Sequence, residues 1–393
     1  MKTWLARAFL GVVGLGLALS VLEAGLRVLY PDVPILGRDP RFGSLPRPNL
    51  DVRKTFGGHE RVVRVMTNGL GLRGGEISEG RTPGRRRVLA LGDSFTFGDA
   101  VEAEEAWPAR LEAALNRGGS SSRWQVVNAG VPGHGTGQEL LLARTLEDRL
   151  APDVVVLGLT VVNDVLDNLC VEEVSYGPKP SVPCFTLDGD RLTLKPPSPP
   201  PAPTPHRWRL RSLEFLAGQV RRATLWNPKL LAWAEASGVS MDLPYVPATV
   251  ASWYDPRHAE PGWRLTERLL LELREGLFER RVPLVILIVP AALQVDPGLQ
   301  SALRTLGHHH LPVQAFLQDP ARPQRVITEF CRGAALDCVD ALPALRDLER
   351  RGTRPYYAID NHWTPAAHAL AADLVARRLA DRALADVRMG AAR

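Results

Sequence analysis

Two stretches of this chain leave little choice about its architecture. Asp153–Leu159 reads DVVVLGL and Pro283–Val289 reads PLVILIV. A strand with one face in water alternates apolar and polar residues; these are apolar almost throughout and must be covered on both faces. Shorter strand candidates stand at Val88–Leu91, Gln125–Asn128 and Ala335–Val339. Helical periodicity falls between them, at Glu104–Asn116, Gln138–Leu150 and Trp263–Arg281, and again at Pro365–Leu379 near the end. Strands alternating with helices imply a parallel sheet with helices on both sides. The expected fold class is therefore α/β, a three-layer α/β/α sandwich with a parallel, flavodoxin-like sheet.

Composition narrows the function classes. Hydrophobic residues make up 45% of the 393 and charged residues 23%, ample for a sizeable core and unlike disordered, collagenous or coiled-coil chains. Lys plus Arg number 48 against 43 Asp plus Glu, a net charge of +5 that is mild for this length. No long basic block stands out, and Arg85-Arg86-Arg87 directly precedes the first strand, where it would flank the sheet. Nucleic acid is not an expected partner.

The N-terminus has a pattern of its own. Lys2 and Arg7 are followed by Phe9 to Leu22 without a charge, and apolar residues continue past Glu23 and Arg27 to Tyr30. Glu23 and Arg27 stand at i,i+4 and could pair on one helix face. From Phe9 to Tyr30 a helix would run about 33 Å, enough to cross a bilayer. Residues 1–30 are thus expected to be a signal anchor, with Lys2 and Arg7 in the cytoplasm and the rest exported across the inner membrane; cleavage after Ser20 or Ala24 would instead release a secreted protein. The four cysteines fit export. They form two local pairs, Cys170 with Cys184 and Cys331 with Cys338, each able to close a short loop in an oxidising compartment.

Residues 31–84, rich in Pro, Gly and Arg with a strand signal only at Arg61–Met66, read as an extracytoplasmic stem before a main domain at 85–393. Within it, residues 171–262 break the alternation. Pro fills seven of the ten positions from Pro196 to Pro205, forcing an extended segment, and five of the nine Trp lie between Trp208 and Trp263. Helical pieces at Leu210–Arg222 and Pro228–Ala236 suggest a small cap over the sheet edge, its tryptophans sealing it against the core rather than stacking on sugars.

Ligands of open α/β sheets bind beyond the carboxyl ends of the strands. Gly92-Asp93-Ser94-Phe95-Thr96-Phe97-Gly98 follows the first strand, Asn128-Ala129-Gly130-Val131-Pro132-Gly133-His134-Gly135 the second, and Asn163-Asp164 the third. Each alone reads equally well as a turn or helix cap. Before the last helix comes Asp360-Asn361-His362-Trp363, where Asp and His at i,i+2 on an extended segment would project to one side. The carboxylate could then hold an imidazole that takes a proton from Ser94, in the order Ser…Asp…His. His368 is a possible competitor for that role, although on the final helix it would more simply pack or face solvent. Asn68-Gly69-Leu70-Gly71-Leu72-Arg73 would fold against the catalytic rim or form a structural turn.

Together these blocks resemble the SGNH (GDSL-type) hydrolases from about residue 86 to 385. The resemblance implies Ser94 as nucleophile, His362 as base and Asp360 as its orienting partner. It also implies an oxyanion hole made of the Ser94 N–H, the Gly133 N–H and the Asn163 amide, with neither cofactor nor metal. Many members space the last pair Asp-x-x-His; here it is Asp-x-His, which resembles the branch of alginate-type O-acetylation proteins of the bacterial envelope. The implied substrates are short acyl esters, O-acetyl groups above all. Hydrolysis, transfer to a cell-envelope polysaccharide alongside a membrane-bound O-acyltransferase, and non-catalytic polysaccharide binding remain open. A metallophosphoesterase would need a clustered Asp/Asn/His ligand set with a Gly-Asn-His-type block that the sequence lacks, and His308-His309-His310 stands alone.

Overall fold

A computed structural model describes residues 2–391 apart from 57–60, 118–122, 171–172, 175–176, 179–181, 198–209, 226–245 and 306–310. The helical expectation at Pro228–Ala236 and the run His308-His309-His310 lie outside the described residues. Helix α1 (Lys2–Leu29) contains a 21-residue stretch, Phe9–Leu29, with mean hydropathy 2.0 and only 6% of its most apolar window buried, long and apolar enough to cross a membrane.

The stem folds into two antiparallel hairpins, β1 (Leu36–Asp39) with β2 (Gly43–Pro46) and β3 (Asp51–Phe56) with β4 (Arg61–Met66). Of these only β4 has a legible strand pattern. The others mix Gly and charged residues because their edges are solvated and their apolar side chains are few. Phe42 and Leu72 nevertheless enter the main core, so this segment packs on the sheet domain.

Next come β5 (Arg85–Gly92), the four-residue α2 (Ser94–Phe97), α3 (Trp107–Asn116), β6 (Arg123–Gly130), α4 (Thr136–Leu150), β7 (Val154–Thr160) and the short α5 (Asp164–Asp167). Two hairpins follow, β8 (Glu173–Val174) with β9 (Gly177–Pro178) and β10 (Cys184–Asp188) with β11 (Arg191–Lys195). Helices α6 (Arg211–Leu225), α7 (Val246–Tyr254) and α8 (Pro256–Glu279) lead into β12 (Leu284–Val289). Four helices, α9 (Ala292–Val295), α10 (Pro297–Thr305), α11 (Leu311–Gln318) and α12 (Arg322–Gly333), precede β13 (Asp337–Asp340). Helices α13 (Leu342–Arg350) and α14 (Pro365–Ala391) close the chain.

The central sheet has the order β13-β12-β7-β5-β6, parallel at every pairing. Strands β7 and β12 are buried at every position, as their unbroken apolar runs require. Helix α3 packs with α14 and α4 with α8, giving the helical layers of the expected three-layer sandwich. The chain passes from β5 outward to β6 and then back to β7, so the strand order reverses at β5. In doubly wound sheets that switch point opens the ligand crevice.

Both local cysteine pairs are disulfide-bonded, Cys170–Cys184 and Cys331–Cys338. The basic run does not precede the sheet but opens it, as the first three residues of β5 paired with β6: Arg87 is buried and donates to the carbonyls of Gly80, Leu150 and Ser78, while Arg86 lies over the Trp124 ring. In the insertion, Trp253 donates its indole N–H to Val161 O at 2.7 Å and packs on Trp263, which meets Phe330 edge-on. These two tryptophans seal the insertion against the core, as expected. Helix α6 packs against α1, where a carboxylate on α1 caps its first turn.

Candidate active site

Just beyond β5, the chain must turn sharply from strand into helix. Asp93 caps α2, its carboxylate accepting from Phe95 N at 2.9 Å. Two glycines allow the turn. Gly92 has φ +147°, and a Cβ there would sit 2.1 Å from the Thr96 hydroxyl. A Cβ on Gly130 would lie 2.2 Å from Phe97 N, so β6 ends directly against the backbone of α2. Neither position can carry a side chain without displacing Thr96 or Phe97 of α2.

The turn is also held from the stem. Arg73, 4% exposed, donates through its guanidinium to the carbonyls of Phe97, Gly98 and Val101 and lies over the Phe97 ring. Burial pulls its pKa down to about 10, against the opposing pull of Asp99, Glu102 and neighbouring acids, so it stays cationic. The Asn68–Arg73 segment therefore folds against the turn that carries Ser94, and its last residue clamps the end of α2. Arg73→Ala would leave the Gly98 and Val101 carbonyls without this donor, and a loss of about 3 kcal/mol in urea denaturation is expected. A change below about 0.5 kcal/mol, the level of an ordinary surface substitution, would show that the clamp does not stabilise the fold.

The structure brings three of the expected residues together. The Ser94 hydroxyl and His362 Nε2 are 2.7 Å apart, and His362 Nδ1 is 3.1 Å from Asp360 Oδ1. The Asp360 carboxylate beside Nδ1 favours a proton on that nitrogen, which leaves Nε2 free of its own proton on the side that faces the Ser94 hydroxyl. The ring packs against Phe95 at 4.8 Å between centroids, and Phe95 in turn meets Trp363 edge-on.

The route to this contact differs from the expectation. Asp360 and His362 do not lie on an extended segment. Asn361 between them is left-handed, at φ +58°, in a tight loop where Tyr357 N donates to His362 O and Tyr356 bridges Trp363. Asn tolerates that conformation better than most residues, and the turn is what brings the carboxylate round to the ring.

Gly133 and Asn163 stand just past the ends of β6 and β7, the two strands flanking β5. Gly133 is exposed with φ +81°, and nothing lies within 4 Å of where its Cβ would be. Asn163 starts α5 and donates one amide N–H to Asp167 Oδ2 at 2.6 Å, a bond that sets the plane of the amide. Strands β6 and β7, about 4.8 Å to either side, thus end beside the strand that leads into Ser94.

Electrostatics around the pair is dominated by buried acids that the sequence reading did not single out. Burial opposes a charged imidazole at His362, but Asp360, followed by Asp99 and Asp93, outweighs it and raises the pKa to about 9. Burial in turn lifts Asp99 to about 7 and Asp93 to about 6, with charged His362 acting against both. Burial also raises Glu139 and Asp164 behind them; Asp164 accepts from Thr160 N at 2.7 Å and so ties the end of β7 to the Asn163 turn. Apart from Asp93 and Asp164, which sit inside the strand-end blocks, these acids stand on other elements in ordinary local contexts. Only the fold gathers them.

His368 plays no part in the contact. It is buried, accepts from Trp107 N at 3.2 Å through Nδ1, and is driven down to about 3 by burial. His134, buried in the second block, likewise serves structure: its Nε2 is bonded to Ser44 O of the stem. Among the described residues no group of His, Cys, Asp and Glu has the geometry of a metal site. A cavity of about 930 Å³ lies away from Ser94, lined by α9, α10, α12, α13 and the end of β13.

Residues 90–266 match the GDSL-like lipase/acylhydrolase family, and residues 251–391 match the family described as SGNH hydrolase-like domain, acetyltransferase AlgX. No curated protein matches the chain. Similar solved structures include an acetylxylan esterase from Geobacillus stearothermophilus, at 14% identity and TM-score 0.34, covering 75% of this chain and 93% of that one. A two-domain esterase active on acetylated mannans aligns at 11% identity and TM-score 0.36, covering 76% of this chain and 49% of that one. The first match runs over the Ser94 and Asn163 turns and the second over the Asp360–His362 turn of one sheet, and between them residues 90–391 form an SGNH (GDSL-type) serine hydrolase domain.

Proposed function

We propose that the protein cleaves short-chain acyl esters, O-acetyl groups in particular, through an acyl-Ser94 intermediate at the extracytoplasmic face of a membrane in which α1 is the anchor. The single observation that carries this reading is the 2.7 Å contact between the Ser94 hydroxyl and His362 Nε2, with Asp360 behind the ring. Serine is a weak nucleophile until a neighbouring base removes its proton. His362 takes that proton as the Ser94 oxygen attacks the ester carbonyl. It then returns it to the departing alcohol, leaving an ester on Ser94. Deacylation repeats the sequence with a second hydroxyl as nucleophile: that of water for hydrolysis, that of a sugar for transfer.

The negative oxygen of each tetrahedral intermediate needs donors already in place. Ser94 N–H, Gly133 N–H and the Asn163 amide are proposed for this role. Asn163→Ala is expected to lower kcat by about 100- to 1,000-fold with little change in KM, the usual cost of one such donor. An equal rise in KM at unchanged kcat would remove Asn163 from it.

A second reading, transfer of the acyl group to a cell-envelope polysaccharide with a membrane-bound O-acyltransferase as donor partner, is favoured by the match of residues 251–391 to the acetyltransferase family. Non-catalytic binding of polysaccharide is the third. One experiment separates them: the purified full chain is given 4-nitrophenyl acetate with and without a chito-oligosaccharide acceptor. Free acetate in both cases supports the esterase. Acetylated sugar supports transfer, and no 4-nitrophenol release above a Ser94→Ala control leaves binding alone.

A further inference from the structure

Helix α6 begins where α1 carries its one acidic residue. The Glu23 carboxylate accepts from the backbone N–H groups of Arg211 and Ser212 and from the Ser212 hydroxyl, each at 2.9 Å, and pairs with Arg27 at 2.8 Å. The first N–H groups of a helix have no partner within it, so a carboxylate placed there fixes where the helix starts. Arg211 also pairs with Asp32 at 3.0 Å, and Phe215 packs against Tyr30 at 5.5 Å.

Those contacts occupy one side of α6. Leu213 and Leu216, three apart and on another flank, are 61% and 59% exposed, and Leu210 just before the helix is 49% exposed. Glu23 lies within the apolar stretch Phe9–Leu29, so a helix that starts at Glu23 starts at the depth where α1 enters the bilayer. A soluble partner could not reach that level. Whatever surrounds the outer turns of α1 also meets the neighbouring leucines.

We infer that α6 is a second membrane-contacting element, an amphipathic helix seated in the headgroup boundary of the extracytoplasmic leaflet. Its Leu210, Leu213 and Leu216 stripe is covered by lipid acyl chains, and Glu23 clasps it to the anchor. The inference rests on α1 spanning the membrane. It gives the catalytic domain two points of attachment and hence a restrained orientation over the surface, which a single flexible tether would not.

The test uses the full chain in phosphatidylcholine vesicles containing lipids brominated on their acyl chains. Bimane is attached in turn to Leu213→Cys, Leu216→Cys, Leu15→Cys in the anchor, and Phe278→Cys, an exposed position on α8. Hydrolysis of 4-nitrophenyl acetate by each variant confirms that it is folded. Roughly twofold quenching at residues 213 and 216 is expected, as for groups seated ~5–10 Å into the interface, with residue 15 quenched and residue 278 not. Quenching at 15 without quenching at 213 and 216 would overturn the assignment of α6 while the anchor stands. No quenching at 15 would overturn the anchor and this inference together.

Discussion

Ser94→Ala is expected to lower kcat/KM for 4-nitrophenyl acetate by about 10,000-fold or more, and to abolish labelling of the protein by a fluorophosphonate. The magnitude follows from the way such groups act as a unit: without the nucleophile, the base and the oxyanion donors are left with only the residual acceleration of binding and polarisation. The hydroxyl is small and its neighbours do not depend on it for packing, so the thermal midpoint should stay within a degree or two of the parent. That separation of activity from folding gives the test its force. Retained turnover in a folded Ser94→Ala protein, or fluorophosphonate attached elsewhere, would mean that the 2.7 Å contact to His362 is not where the chemistry happens.

The second large effect concerns the base. His362→Ala should cost a similar factor, because neither acylation nor deacylation can then move its proton. Asp360→Asn should cost roughly 100- to 10,000-fold and should also change the pH profile, which is the more discriminating result. His362 accepts the serine proton only when neutral. Its pKa, raised to about 9, therefore predicts kcat/KM that climbs with pH towards a plateau above that value. Burial alone would lower this pKa; Asp360 contributes most of the opposing rise. Removing the Asp360 charge should thus move the limb to lower pH even as the maximum rate drops. Asp99 and Asp93, lifted to about 7 and about 6, gain protons as the pH falls and withdraw further negative charge from the ring, so the limb should be shallower than a single titration. A limb that stays in place in Asp360→Asn would mean that the carboxylate 3.1 Å from Nδ1 does not set the basicity of the imidazole.

Much of this architecture could be read from residue order because its signals are local. The unbroken apolar runs of β7 and β12 can only be strands covered on both faces, and alternation with amphipathic helices dictates a parallel sheet. The stretch from Phe9 to Leu29 announces its length and polarity by itself. The short helices α9 to α13 and the hairpins of the stem were harder to see. Their apolar residues are few, and they acquire their form from the surfaces they cover.

The chemical blocks lie between these extremes. Ser94, Gly133 and Asn163 could be singled out because each falls where a strand ends, and strand ends in such sheets converge. How Asp360 reaches His362 could not. The left-handed Asn361 turn depends on bonds between Tyr357 and His362 and on the bridge from Tyr356 to Trp363, partners that no spacing rule weighs. Arg73 was visible only as part of a glycine-containing turn, yet it closes the carbonyl end of α2, the short helix that Ser94 begins.

Periodicity and the chemistry of turns, properties of residues within a few positions of one another, determined the fold class, the apolar N-terminal segment, the disulfide pairs and the residues worth suspecting. Tertiary structure alone decided which side chains touch, which acids share a buried volume, and which carboxylate starts α6. Those contacts join residues that stand far apart in the chain, and their energies depend on burial and distance, neither of which exists until the sheet has closed.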